Sequence, residues 1–144
     1  MRSGARQLCS MLALALLCGA ARGDASLLVA GLSCAKLDAP GRILCDLHAN
    51  APSAKLVWAD ALVVAAPEFA RPLRSRVALQ LLAGTSQASA KLALVGARPG
   101  KGELAVLVRG VVCRATSSGE VCHPEQQRVS TELEVSAAAP PTAP

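Results

Sequence analysis

The chain has 144 residues, a formal net charge of +5, one Trp, one Phe and no Tyr. Its basic side chains are scattered singly and no group of aromatic rings is available for stacking on bases, so nucleic-acid binding is not predicted. This length suits one compact domain, whose core must consist mainly of Leu, Val and Ala.

Residues 1–23 have the organisation of a cleavable signal peptide. Arg2 and Arg6 supply positive charge before an apolar run over residues 11–17, and a stretch of small residues follows. The apolar run is well short of the roughly 20 residues that span a bilayer, so it does not suit a membrane anchor. We therefore predict cleavage before Asp24, with membrane contact limited to the signal peptide.

Export determines the compartment and the charge of the remaining chain. Loss of Arg2, Arg6 and Arg22 lowers the formal net charge from +5 to +2. The alternative is a lipoprotein that keeps a lipidated Cys18, but Leu17 stands where such sites take a small residue. The sequence predicts an exported protein, either periplasmic or extracellular.

Hydrophobic residues after the signal peptide recur with a period of two. The clearest case is residues 127–135, where Leu133 and Val135 fall on one face and Glu132 on the other. Further strands are predicted over residues 26–30, 42–49, 55–64, 76–82, 90–95 and 103–113. A helical turn near Trp58 is the alternative for part of the third of these segments.

These short strands, separated by turns rich in Gly and Pro, predict an all-β fold. The expected architecture is a single antiparallel immunoglobulin-like β-sandwich with disulfides, formed by residues 24–135. Residues 136–144 are rich in Pro and Ala and have no hydrophobic period, so we predict a disordered tail there.

Four cysteines remain after the signal peptide, and they allow three disulfide connectivities. Pairing between neighbours, Cys34 with Cys45 and Cys113 with Cys122, is favoured because each pair flanks a turn and a hairpin would bring it together. The rival is a bridge between Cys45 and Cys113 that joins the two sheets as in immunoglobulins. In that arrangement Trp58 would be the core Trp of the sandwich.

A family resemblance rests on residues 103–135. They contain the run Glu103-Leu-Ala-Val-Leu-Val-Arg-Gly-Val-Val-Cys113, a short polar turn, and Gly119-Glu-Val-Cys122-His-Pro124 before the last strand. This arrangement resembles the N-terminal domain of the periplasmic thiol–disulfide interchange protein DsbD. In that family an immunoglobulin-like sandwich carries a cysteine pair near its last strands. The pair receives electrons from a membrane partner and passes them to thioredoxin-like proteins.

The resemblance implies that Cys113 and Cys122 are the matching pair and form a candidate redox site. His123 or Arg114 could lower the pKa of a thiol there by its charge. The alternative for the same pair is a static staple in a module that binds a protein partner and performs no chemistry. Cys34–Cys45 is predicted to be structural on grounds of compartment. The expected partner is a thioredoxin-like or cell-envelope protein.

No other constellation predicts chemistry. His48, His123 and the cysteines match no standard zinc-ligand spacing, so neither a metal nor another cofactor is predicted. No serine lies in a Gly-x-Ser-x-Gly elbow. Any enzymatic activity is therefore expected only from the cysteine pair, and a non-enzymatic role remains the alternative.

Overall fold

The computed structural model describes residues 26–139. The predicted signal peptide, and the end of the predicted tail after residue 139, lie outside them. The regular structure of the described residues consists of nine β-strands and no helix. The strands are β1 (Val29–Cys34), β2 (Gly41–Asn50), β3 (Lys55–Ala65), β4 (Ala70–Pro72), β5 (Arg76–Ala78), β6 (Gln80–Leu81), β7 (Gln87–Gly96), β8 (Gly100–Thr116) and β9 (Gly119–Val135).

The strands form two antiparallel sheets that pack face to face. The first sheet has the order β1-β2-β7-β4, with β6 also paired to β7, and the second has the order β5-β3-β8-β9. Placing β1, β2 and β7 in one sheet and β3, β8 and β9 in the other follows the Greek-key pattern of immunoglobulin-like sandwiches. The predicted fold class is confirmed.

The core consists of aliphatic side chains from the two facing sheet surfaces. Alternate residues of each strand point inwards, as the period of two requires. The largest fully buried aliphatic side chains are Leu28, Ile43, Leu47, Leu92, Leu94, Leu104, Val106, Val108, Val112 and Leu133. Phe69 is the one aromatic residue in the core of the described chain, and its ring packs on Gly100.

The predicted strand over residues 76–82 is in fact two strands in different sheets. β5 pairs with β3 in the second sheet, whereas β6 pairs with β7 in the first. Leu79 lies between them, is buried, and donates its N–H to the carbonyl of Ala59 at 3.0 Å. The chain crosses from one sheet to the other at this residue.

Trp58 lies in a strand, not in a helical turn, and it does not enter the core. A β-bulge between Leu56 and Trp58 shifts the register of β3 against β8. Such a bulge changes the face to which the following residue points. Trp58 is 42% exposed on the outer face of the second sheet, so it is not the core Trp that the rival pairing of Cys45 with Cys113 would have required.

The last two strands form a hairpin much longer than predicted. Residues of β8 and β9 pair without interruption from Gly100 with Val135 to Thr116 with Gly119. The turn predicted between Cys113 and Cys122 is therefore mostly strand. The actual turn is narrow, and Gly119 adopts φ 129° there, a conformation that favours glycine.

Smaller differences from the prediction concern the ends of the domain. β1 begins at Val29 and not at residue 26, and β4 had no sequence signal. After β9, the N–H of Ser136 donates to the carbonyl of Leu37 at 2.8 Å, and the chain is exposed from there to residue 139.

Candidate functional site

Both disulfides join directly opposed residues of neighbouring strands. Cys34 of β1 faces Cys45 of β2, and Cys113 of β8 faces Cys122 of β9. In each pair the Cα atoms are 4.0 Å apart. This is closest to the spacing of non-hydrogen-bonded antiparallel pairs, where side chains approach most closely. Each bridge therefore lies within one hairpin.

The bridge between Cys45 and Cys113 is excluded by the direction of the side chains. Cys45 belongs to the buried core, as do its strand neighbours Ile43 and Leu47. Cys113 follows Val112 on β8, and Val112 points into the core, so Cys113 points to the outer face of its sheet. The two sulfurs thus face different sides of the second sheet.

The four cysteines differ in their exposure to solvent. Cys45 is completely buried and Cys34 is half-buried. Cys113 is only 2% exposed, but its partner Cys122 is an exposed residue. Among the four cysteines of residues 26–139, Cys122 is the most exposed to solvent.

The Cys113–Cys122 bridge marks the place where the hairpin leaves the body of the sandwich. β3 pairs with β8 only as far as Lys55, which faces Cys113. Beyond this point, β9 is the one strand of the described part of the chain that pairs with β8, up to the turn at Gly119. Residues 114–121 thus form a two-stranded tip, which we call the hairpin tip.

His123 and Arg114, the predicted modulators of the cysteine pair, lie on the other face of the sheet. Each is adjacent in sequence to a bridged cysteine, and adjacent residues of a strand point to opposite sides. Together with Thr116 and Val121 they line an open groove of about 620 Å³ on the inner face of the hairpin. The arrangement separates them from the sulfurs by the backbone of the sheet.

Two other charged residues lie on the face of the bridge. A carboxylate oxygen of Glu120 and the sulfurs of Cys113 and Cys122 are all within 4.8 Å of one another. Lys55 faces Cys113 from β3. Neither residue was predicted from the sequence. Glu120 could have been, because it precedes Cys122 by two residues and alternate residues of a strand share a face. The position of Lys55 depends on the register of β3 against β8, which the sequence does not reveal.

Further along the same face, a buried carboxylate holds two arginines. Asp60 is 1% exposed and accepts hydrogen bonds from Nε of Arg109 at 2.9 Å, Nη2 of Arg109 at 2.6 Å and Nε of Arg76 at 2.6 Å. The guanidinium of Arg109 also lies 5.9 Å from the centre of the Trp58 ring. Hydrogen bonds from Arg109, together with that from Arg76, hold the pKa of Asp60 below its usual value, although burial opposes them.

The remaining histidine has a structural environment. His48 faces Gly31 across the pair of β1 and β2, and its ring occupies the space where a Cβ of residue 31 would stand. It lies in the first sheet, away from the bridge of the hairpin.

No helix within residues 26–139 is long and apolar enough to cross a membrane.

No protein-family model matches the chain, and no curated protein is significantly similar to it. The resemblance of residues 103–135 to the N-terminal domain of DsbD therefore stays a prediction. What the structure itself provides is a disulfide-stapled β-sandwich with one exposed bridge, of a kind typical of oxidising compartments.

Proposed function

We propose that this protein is an exported module that exchanges thiols and disulfides with a protein partner through Cys113 and Cys122. The observation that carries the proposal is the exposure of Cys122 beside a buried Cys113. Exchange requires that a thiolate reach one sulfur of the bridge. An attack from solution on this bridge is expected at Cys122, because Cys113 is buried.

The exchange runs in two steps. A thiolate of the partner attacks Sγ of Cys122, a mixed disulfide forms, and Cys113 leaves with the electron pair of the broken bond. A second thiolate of the partner then attacks the mixed disulfide and releases Cys122. The two cysteines of this chain gain two electrons and take up two protons from water, while the partner dithiol becomes a disulfide. The ammonium group of Lys55, on the strand beside Cys113, favours the first departing thiolate.

Opening the bridge leaves the fold in place. The ladder of β8 and β9 continues on both sides of the bridge, and β3 supports it up to Lys55. The core side chains of the hairpin lie on the opposite face from the sulfurs. A reversible change at the cysteines is therefore compatible with an intact sandwich.

A redox titration tests this proposal. The mature protein is equilibrated in glutathione buffers of graded potential, and each cysteine is alkylated and identified by mass spectrometry. We expect Cys113 and Cys122 to become reduced while the protein is folded, at a potential above the value of about −300 mV below which structural bridges lie. The Cys34–Cys45 bridge is the internal control and should stay oxidised. Reduction of Cys113–Cys122 only upon unfolding would rule out the exchange function.

A second candidate function is a binding module whose bridges are purely structural. The exposed Trp58 favours it, because a large apolar ring with an arginine held against it is typical of the centre of protein interfaces. The partner would be a cell-envelope protein. Redox dependence separates the candidates: a pure binding module captures its partner equally well before and after Cys113 and Cys122 are replaced by serine.

A further inference from the structure

The two sulfurs of the Cys113–Cys122 bridge and the nearby carboxylate of Glu120 have the donor chemistry of a metal site once the bridge is reduced. Two cysteine sulfurs and a carboxylate oxygen of Glu120 lie within 4.8 Å of one another. All three side chains project from the outer face of the hairpin, Cys122 and Glu120 from the same strand and Cys113 from the strand opposite. In the oxidised protein the two sulfurs are joined by a covalent bond and neither is a thiolate. The three side chains therefore do not act together as metal ligands.

Breaking the bond leaves the donors close to the spacing that a tetrahedral ion needs. Zinc binds thiolate sulfur at about 2.3 Å and carboxylate oxygen at about 2.0–2.2 Å, so two sulfurs on one ion are about 3.8 Å apart. The Cα atoms of Cys113 and Cys122 are held 4.0 Å apart by the ladder, which keeps the two sulfurs together without the covalent bond. A small rotation of the side chains then admits the ion.

Electrostatics favour a cation at this place once the bridge is open. Two thiolates and the carboxylate of Glu120 would concentrate three negative charges in a volume a few ångströms across. Lys55 is the positively charged residue that faces Cys113 on the adjoining strand, and it offsets one of these charges. A divalent cation offsets the other two. Thiolates select soft or borderline ions such as Zn²⁺ and Cd²⁺ over Mg²⁺ or Ca²⁺.

We propose that the dithiol form of the protein binds one thiophilic divalent cation through Sγ of Cys113, Sγ of Cys122 and the carboxylate of Glu120. Water fills the fourth position, and the disulfide and the bound ion exclude each other. The inference rests on the proposed exchange function, which supplies the reduced state. A partner dithiol delivers two electrons and becomes a disulfide, the two cysteines become thiols, and the ion then displaces their two protons into solvent.

The test uses Cd²⁺ as the probe, because its thiolate complexes have an ultraviolet charge-transfer band. The Cys113–Cys122 bridge is reduced in a glutathione buffer that leaves Cys34–Cys45 intact, the buffer is removed under nitrogen, and alkylation of a sample verifies both states. We expect the reduced protein to bind one equivalent of Cd²⁺, which Zn²⁺ displaces, and the oxidised protein to bind none.

Variants assign the ligands. Glu120→Gln should weaken Cd²⁺ binding by at least about tenfold, since even loss of an outer-sphere partner of a metal site costs about 10–100-fold. Glu103→Gln, an exposed carboxylate elsewhere on β8, is the matched control and should leave the affinity unchanged. Cys113→Ser/Cys122→Ser should abolish the charge-transfer band.

Each failure has a distinct reading. If the bridge cannot be reduced in the folded protein, the exchange function and the metal site both fall. If it is reduced but binds no Cd²⁺, or if Glu120→Gln binds as tightly as the unaltered protein, the metal site of three ligands is wrong while the exchange function stands. Binding that persists in the double serine variant would place the ion elsewhere and overturn the inference.

Discussion

Asp60 shows how a single residue can organise a sheet surface. It is the one charged side chain buried among residues 26–139, yet it lies on the outer face of its sheet, covered by Arg109 and Arg76. The desolvation cost of such a carboxylate is offset only when its hydrogen bonds are complete. Three hydrogen bonds to Asp60 meet that condition here. The two donated by Arg109 also hold its guanidinium near the Trp58 ring.

Removing the charge of Asp60 should destabilise the protein. We expect Asp60→Asn to lower the free energy of unfolding by about 3 kcal/mol, the lower end for a broken buried pair, because both guanidinium groups can still reach water. Urea denaturation at neutral pH measures the change. Asp46→Asn is the control. Its carboxylate pairs with Lys91 on the surface, where an ion pair is worth at most about 1 kcal/mol. Equal losses in the two variants would contradict this account of Asp60.

The contribution of Asp60 should also depend on pH. Its pKa in the folded protein is below the unfolded value of about 3.9, so the stabilisation is complete at higher pH and is lost as pH falls through the folded pKa. The difference in stability between the unaltered protein and Asp60→Asn should therefore be constant above about pH 5 and shrink towards more acidic pH. Denaturation series at several pH values measure it, and a difference that grows on acidification would refute the assignment.

Gly100 is a second residue whose identity is dictated by packing. A Cβ at this position would stand 2.5 Å from the ring of Phe69, which is buried and cannot move aside freely. Gly100→Ala should cost about 1–3 kcal/mol, the usual range for overpacking. Gly41→Ala provides the comparison, since its nearest neighbour would be 3.8 Å away, and it should be close to neutral. Thermal unfolding of both variants gives the answer.

At the scale of elements, the hairpin tip depends on the bridge at its base. A two-stranded hairpin on its own is marginally stable in water. Residues 114–121 are exposed, and no third strand within residues 26–139 pairs with them. We expect reduction of Cys113–Cys122 to accelerate amide hydrogen exchange by a larger factor within residues 114–121 than in β2 and β7. Acceleration by the same factor throughout both sheets would show that the bridge acts only on the stability of the whole fold.

The sequence predicted the positions of most strands well, but it predicted poorly which face of a sheet each side chain occupies. Alternation alone placed the strands that became β2, β7 and the second half of β9, because one face of each is at least half-buried and the period is unambiguous. The alternative with Trp58 in the core fails because a single bulged residue reverses the faces of a strand. The strand predicted over residues 76–82 is divided between the two sheets, because a continuous alternating pattern hides a crossover. At the candidate site, the cysteines could be found from sequence, whereas the side of the sheet on which His123, Arg114 and Lys55 lie follows from register.

At the scale of the whole molecule, two bridges support a thin core. Its large buried side chains are almost all Leu, Val and Ile. Each bridge closes a loop of about ten residues, worth roughly 2.5–3 kcal/mol in the chain-entropy account. Typical domains have a total stability of about 5–15 kcal/mol. The fold should therefore depend strongly on an oxidising environment.

A strong reductant that opens both bridges should lower the free energy of unfolding by about 5 kcal/mol. Urea titrations with and without the reductant measure this difference. The double variants Cys34→Ala/Cys45→Ala and Cys113→Ala/Cys122→Ala assign it to each bridge, and they should each lose about half. A fully reduced chain as stable as the oxidised one would contradict a supporting role for either bridge.

Trp58 gives this molecule an optical signal of its own. It is the single tryptophan of the chain and faces Val111, the residue that precedes Cys113 on the same surface of the sheet. A disulfide accepts an electron from an excited indole ring at short range, and separated thiols do so less readily. The emission of Trp58 should therefore brighten when the neighbouring bridge opens. The oxidation state of the hairpin can then be followed in unlabelled protein, in real time, by fluorescence.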